Sequence, residues 1–573
     1  MASGWKIVGL VCLACVACTR TAALKRPEPP RSGPSWDGFV AAYIEGYLPL
    51  HPAFAVAQGR HEYDGLLPDW SQAAFEREIA WLSEAARQAR AFAPEVLSPI
   101  QRFQRAYVIA QIDAELFWLR DARLPFANPS YYFDAGLDPT IYVTLAYAPL
   151  DQRMRAFIRY ARAIPEALEH VRANLAAPMP RTFVDYAVAG FHGFSEFYEQ
   201  EVPAIFADVK DPALQAELSA VLAPAAAAMR ELGDLFAART EFADAAFVLG
   251  PERFAAMLRD TEAVTTPVAE LETIGKADLE RNLVALGQAC AAFAPNESLH
   301  VCVDRQSADK PIGGAVEGAR AQLDDLQHFI VERALVSIPP AQGVRVEKAP
   351  AYRRQNFAYI EIPGAYEKSL PSTYYIAPPD PAWSKAERDA YVPGQADLLF
   401  TSIHEVWPGH FLQYLHSNAS PWRFGQLFVG YAFSEGWAHY AEELMLESGI
   451  AEGQPVRRVG QALNALLRDV RFVCAIGLHT QGMTVAKCEQ LFKDNAFQDP
   501  GNARQQAARG TYDPAYLNYT LGKLMIRKLR ADWQRENAGH SLREFHDALL
   551  SYGGPPLPLL RGQLLRNPGE HSL

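Results

Sequence analysis

Apolar residues recur three or four positions apart over most of this chain, the spacing that lines one face of an α-helix. Between Trp36 and about Ala255 the pattern is clearest in WLSEAARQARAFA, IQRFQRAYVIAQIDAELFWL and RMRAFIRYARAIPEALEHVRANL. Pro165 lies inside the last of these and predicts either two helices or a kink, because proline lacks the amide hydrogen a helix interior needs. Residues 214–248 are alanine-rich, which favours helix and close helix contacts. Helical spacing continues over 268–292 and 315–336, and again over 397–416, 433–449, 456–492, 516–536 and 542–551. Residues 495–510 are polar and predict a loop. The period changes only at 344–377, where VRVEKAP, FAYIEIPG and TYYIAPPD are β-prone runs separated by Pro, Gly and charge. The expectation is a mainly α fold with a small β-sheet or hairpin just before the helix at 397–416. An extended edge there could pair with a peptide backbone or be purely structural. Tyr374 and Tyr375 either line a cleft or pack within the strand.

A length of 573 residues allows one two-lobed body or a few packed domains. The opening, MASGWKIVGLVCLACVACTRTA, has one lysine and an apolar run from Ile7 to Ala17. Eleven apolar residues are too few to span a membrane and suit an export signal. This end resembles a bacterial lipoprotein signal with Cys18 as the lipid-bearing cysteine, although Cys15 stands where that motif prefers leucine. Export without a lipid and a buried N-terminal helix are the alternatives. The expected organisation is a signal peptide at 1–17, an anchor and Pro-rich tether at 18–35, an N-terminal helical lobe at 36–292 and a C-terminal lobe at 293–573. The expected location is the bacterial periplasm, with a lipid anchor in the outer membrane. No later segment has the pattern of a membrane span, and oligomeric state is not legible.

Charge and cysteines narrow the partners. A net charge of −12 argues against nucleic acid, which wants a basic surface, and excludes no peptide or small amide. Seven cysteines include three in the leader. The remaining Cys290, Cys302, Cys474 and Cys488 are too sparse for a disulfide scaffold; a Cys290–Cys302 bridge is possible in an oxidising compartment, as is none.

The chemistry concentrates in TSIHEVWPGHFLQY, where His404, Glu405 and His410 sit within one apolar helical pattern, followed by Glu435 in FSEGWAHYAEELMLE. Two imidazoles and a distant carboxylate can hold Zn²⁺, and a glutamate beside the first histidine can take a proton from water. The common short form is HExxH, with histidines four apart. Here they are six apart, which in a regular helix separates them by about 9 Å along the axis and roughly 120° around it. A π-like bulge at Pro408-Gly409 would restore a common face. Glu435 is the favoured acidic ligand, with Glu442 fixing a ligand histidine; the reverse assignment and His439 as a fourth ligand remain open.

HEVWPGHFLQ and SEGWAHYAEEL, together with YVPGQAD, DVRFVCAIGLHTQGMT, YLNYTLGKLMIRKLR and FHDALLSYGGPPLPLL, resemble the bacterial DUF885 proteins. That family has an HExxPGHxxQ pattern, and its members are predicted zinc-dependent metallopeptidases of zincin-like character, many of them lipoproteins. The resemblance runs over nearly all of the chain after the leader. It implies a largely α-helical zincin-like fold with a small β element. It also implies His404, His410 and Glu435 as zinc ligands, Glu405 as base, and His479 and Tyr519 as site groups. Ala475 stands where the family often has an aspartate one turn before His479, Met483 where tryptophan is common, and His439 at a usually apolar position.

The expected function is therefore hydrolysis of peptide bonds. Zinc-activated water attacks, Glu405 carries the proton, and His479 or Tyr519 donates to the oxyanion. Arg468, Arg471, Lys523 and Arg527 either bind a peptide carboxylate or sit on solvated helix faces. Hydrolysis of another amide or ester with the same metal, and an inactive lipid-anchored protein with a closed metal site, are the alternatives.

Overall fold

The computed structural model describes residues 35–573 apart from 341–342, 351–352, 355–356, 368–369, 380, 382 and 570–571. The leader, the Cys18 anchor and nearly all of the tether lie outside the described residues. The chain is predominantly α-helical with one small sheet, as its periodicity predicts. No described helix is long and apolar enough to cross a membrane.

In the first half, helices Leu150–Asn174 and Arg181–Gln200 both pack on Pro212–Ala237. Leu150–Asn174 stays one helix through Pro165. Its buried stripe, including Phe157, Ala161, Ile164, Leu168 and Val171, runs across that position, so packing outweighs the bond that proline removes. The alanine-rich segment is helical only to Ala237.

The sheet has the order β1-β3-β2, with β1 Val344–Lys348 parallel to β3 Ser372–Ile376 and β2 Ala358–Glu361 antiparallel to it. Tyr374 and Tyr375 on the central strand are buried and serve packing. The residues that face the large cavity belong to the edge strand β2, among them Tyr359 and Ile360.

Helix Val268–Phe293 lies along Pro455–Thr480, and Tyr431–Glu447 lies along Asn518–Glu536. The second crossing is close because two glycines meet. A Cβ on Gly436 would stand 2.4 Å from the Gly522 Cα. The helical pattern expected over 456–492 divides into Pro455–Thr480 and Val485–Ala496. Two disulfides join Cys290 to Cys302 and Cys474 to Cys488. The second pairing is not visible in the spacing.

Two expectations need correction. Residues 500–512 are not a loop: Asp499 accepts from the amides of Gly501 and Asn502 and caps a helix, Pro500–Tyr512, with Pro500 in its first turn. The pattern at 397–416 is not one bulged helix either. It is Gln395–Glu405, a reversal containing the cis peptide Trp407–Pro408, and His410–Ala419.

Candidate metal centre

The reversal brings the two histidines together. The amide of Gly409 donates to the Ile403 carbonyl at 2.9 Å, and the Trp437 indole donates to the Pro408 carbonyl at 2.8 Å. A Cβ on Gly409 would lie 1.7 Å from the His404 carbonyl oxygen, so only glycine lets the chain turn this tightly. Leu398, Phe400 and Ile403 bury the first helix, and Phe411 and Leu412 the second. The rings of His404 and His410 end with centroids 4.8 Å apart.

Glu435 completes the group from the first turns of Tyr431–Glu447. Its Oε2 lies 3.3 Å from Nε2 of His404 and 3.3 Å from Nε2 of His410. The three donor atoms all lie within 4.8 Å of one another, and the cluster can hold a divalent metal ion. His404 Nδ1 lies 2.7 Å from Glu442 Oε1, an oxygen that also receives Arg468 Nη2 at 3.2 Å. A carboxylate only accepts, so Nδ1 carries the proton and Nε2 faces the other donors. His410 Nδ1 lies 3.2 Å from Ser434 Oγ, a partner the sequence reading missed although it directly precedes Glu435.

The charges suit a cation. Burial by itself would raise the Glu435 carboxyl, but His410 and His404 hold it well below the usual range. Burial also works against Glu442, which Arg468 and then His439 and His404 hold well below the same range. Glu405 differs: burial raises its pKa, with partial offset from His410 and His404. It is buried and faces the cavity.

Glu442 takes the supporting position, behind His404. His439 is fully buried with Nδ1 3.4 Å from Glu442 Oε2, and it is not among the three donors found in the described residues. Tyr519 stacks near His404 with ring centroids 6.1 Å apart. Burial and the nearby Glu435 raise its pKa, so its hydroxyl keeps a proton to donate.

His479, expected as a site residue, is neither among the three donors nor along the cavity wall. It is fully buried, its Nε2 lies 2.8 Å from the Gly510 carbonyl, and Phe247 and Phe254 flank its ring. Burial lowers its pKa to about 4. Lys523 is also buried and pairs with Asp278, and Arg527 lies 3.2 Å from Glu443. Neither lines the cavity.

The donors open on a cavity of about 1710 Å³ that reaches from the first half of the chain to β2 and the helix Pro500–Tyr512. Arg468, Arg471 and Arg509 line it together with Glu405, Glu435 and Tyr519. Arg509 was hidden from the sequence reading by the missed helix.

Two solved structures share this fold. A candidate lipoprotein of unknown function from Shewanella oneidensis is 22% identical, with a TM-score of 0.75 over 93% of this chain and 100% of its own. A candidate lipoprotein from Colwellia psychrerythraea is 16% identical, with a TM-score of 0.73 over 89% of this chain and 94% of its own. No curated protein matches. The profile of a family described as bacterial protein of unknown function matches residues 52–564, and the chain therefore belongs to that family, DUF885.

Proposed function

We propose that this protein is an exported zinc-dependent peptidase, held to the outer membrane by a lipid on Cys18 and acting in the periplasm. The observation that carries the reading is the buried Glu405, next to His404 and facing the cavity that His404, His410 and Glu435 also line. His404, His410 and Glu435 would hold the ion. When bound, zinc supplies Lewis acidity, which acidifies a coordinated water and polarises a carbonyl oxygen.

The chain's own groups do the rest. Glu405, whose raised pKa suits a group that both takes and returns a proton, receives one from the attacking water and delivers it to the departing amide nitrogen. Tyr519 donates from its hydroxyl to the developing oxyanion, with Arg509 hydrogen-bonded to it. The half-buried strand β2, at the edge of the sheet and along the cavity, supports an extended peptide as substrate, because an edge strand can add a further strand. The two disulfides suit an oxidising compartment, and the two solved relatives are candidate lipoproteins.

The test measures metal content and cleavage of a peptide library for the wild type beside Glu405→Gln. Equal zinc in both proteins, with cleavage only by the wild type, is the expected outcome. A wild type that binds zinc and cleaves nothing in the library would sink the peptidase reading.

A further inference from the structure

Buried and half-buried cations around the metal centre are matched by carboxylates, with one exception. Arg468 has Glu442, Arg509 has Asp513 at 2.9 Å, and Lys523 has Asp278. Arg153, in the first half, has no carboxylate but donates to the carbonyls of Tyr142, Val143 and Ala148. Arg471 differs from all four. It is only 7% exposed, and its Nε donates to Gln506 Oε1 at 2.9 Å. Among the described residues no carboxylate lies within ion-pair distance of its guanidinium.

The surroundings do not neutralise this charge. Arg468 and Arg509 line the same cavity, and Arg509 adds repulsion. The guanidinium lies 4.8 Å from the centre of the Tyr519 ring, which holds its plane in place by a cation–π contact. With Nε engaged by Gln506, the two terminal nitrogens are the groups left to meet what enters the cavity. A desolvated cation without a counter-charge is costly, and a planar pair of N–H donors matches a carboxylate in a bidentate fit. Tyr519 also stacks near His404, so Arg471 stands one aromatic ring from the metal ligands.

We propose that Arg471 recognises a carboxylate of the substrate close to the bond that is cut. This deepens the peptidase reading and rests on it for the word substrate. Two sources carry this chemistry: the free C-terminus of a peptide, and an acidic side chain beside the scissile bond. The first would make the protein a carboxypeptidase.

The test uses the full-length metal-loaded protein, Arg471→Gln and Arg471→Lys, with metal content measured for each. The probes are four versions of one N-acetylated peptide that the wild type cleaves: free acid or C-terminal amide, each with Glu or Gln after the scissile bond. The wild type should favour the carboxylate-bearing versions by about tenfold or more in kcat/KM, as expected for a charge-assisted contact. Arg471→Gln should erase that preference at unchanged metal content, mainly through KM, and Arg471→Lys should restore part of it. A preference that follows the free acid identifies the C-terminus, and one that follows Glu identifies the side chain. Equal rates on all four, or a preference that survives in Arg471→Gln, overturn the proposal while leaving the peptidase standing. If no peptide is cleaved, calorimetric binding of four N-acetylated tetrapeptides, free acid or C-terminal amide and each with Glu or Gln at the third position, decides. Carboxylate-selective binding lost in Arg471→Gln sustains the site, and unselective or absent binding ends it.

Discussion

His404 Nδ1 lies 2.7 Å from Glu442 Oε1, in a pocket where Glu442 is fully buried and Arg468 holds the same oxygen. This contact fixes which ring nitrogen of His404 can meet an ion. Glu442→Gln should therefore keep the shape of the pocket and lower metal affinity by about 10–100-fold. Competition with a chelator of known affinity measures it, and an unchanged affinity would mean that Glu442 does not orient the ligand.

Glu405→Gln should reduce peptide hydrolysis by about 10²–10⁴-fold, the usual contribution of a general base. Stability should hold or rise, because the substitution replaces a buried group whose charged form is disfavoured. Unfolding midpoints beside turnover rates separate the two effects. Loss of folding in parallel with activity would assign Glu405 a structural task.

Gly436→Ala places a methyl group 2.4 Å from the Gly522 Cα and 3.0 Å from the Lys523 amide nitrogen, with only backbone to give way. The cost should be about 1–3 kcal/mol, typical of overpacking. Because Glu435 is the next residue, metal affinity should weaken too. Urea unfolding with and without zinc checks both expectations, and an unperturbed midpoint would show that the helices can part at no cost.

Glu262 offers a pH dependence away from the metal ligands. Its Oε1 accepts from the Ala432 amide at 3.2 Å and from Asn518 at 2.8 Å, tying together the helices that carry Glu435 and Tyr519. Burial raises its pKa to about 8 from 4.5. The unfolded chain thus releases this proton at lower pH than the folded one. The stability it contributes is complete below about 4.5 and is lost as pH rises through about 8. Glu262→Gln should remove that slope and gain on the wild type by a few kcal/mol between pH 5 and pH 8.5, at order-of-magnitude level. Parallel denaturation curves at the two pH values would refute this.

Part of the site was legible because its chemistry is local in sequence. His404, Glu405 and His410 lie within seven residues, and Glu435 and Glu442 share one helix face. The β-prone runs at 344–377 stood out against a helical background for the same reason. The surroundings of His479 were not legible, because a short motif does not show what encloses a side chain; Phe247 and Phe254 from a distant segment do so. The helix Pro500–Tyr512 was missed because its apolar stripe is thin, although Asp499-Pro500 carried a start signal.

By itself the sequence determined that the chain is mainly helical, where the β segment falls, and which residues bear metal-ligating chemistry, since periodicity and residue type act over a few positions. Only the tertiary structure decided how histidines six apart come to face one carboxylate. That outcome depends on Trp437 holding the Pro408 carbonyl, on Gly409 fitting against His404, and on Gly436 meeting Gly522. It also decided that Arg471 is buried beside Tyr519 with no counter-charge among the described residues, because no residue near it in the chain records what the fold brings to, or withholds from, its guanidinium.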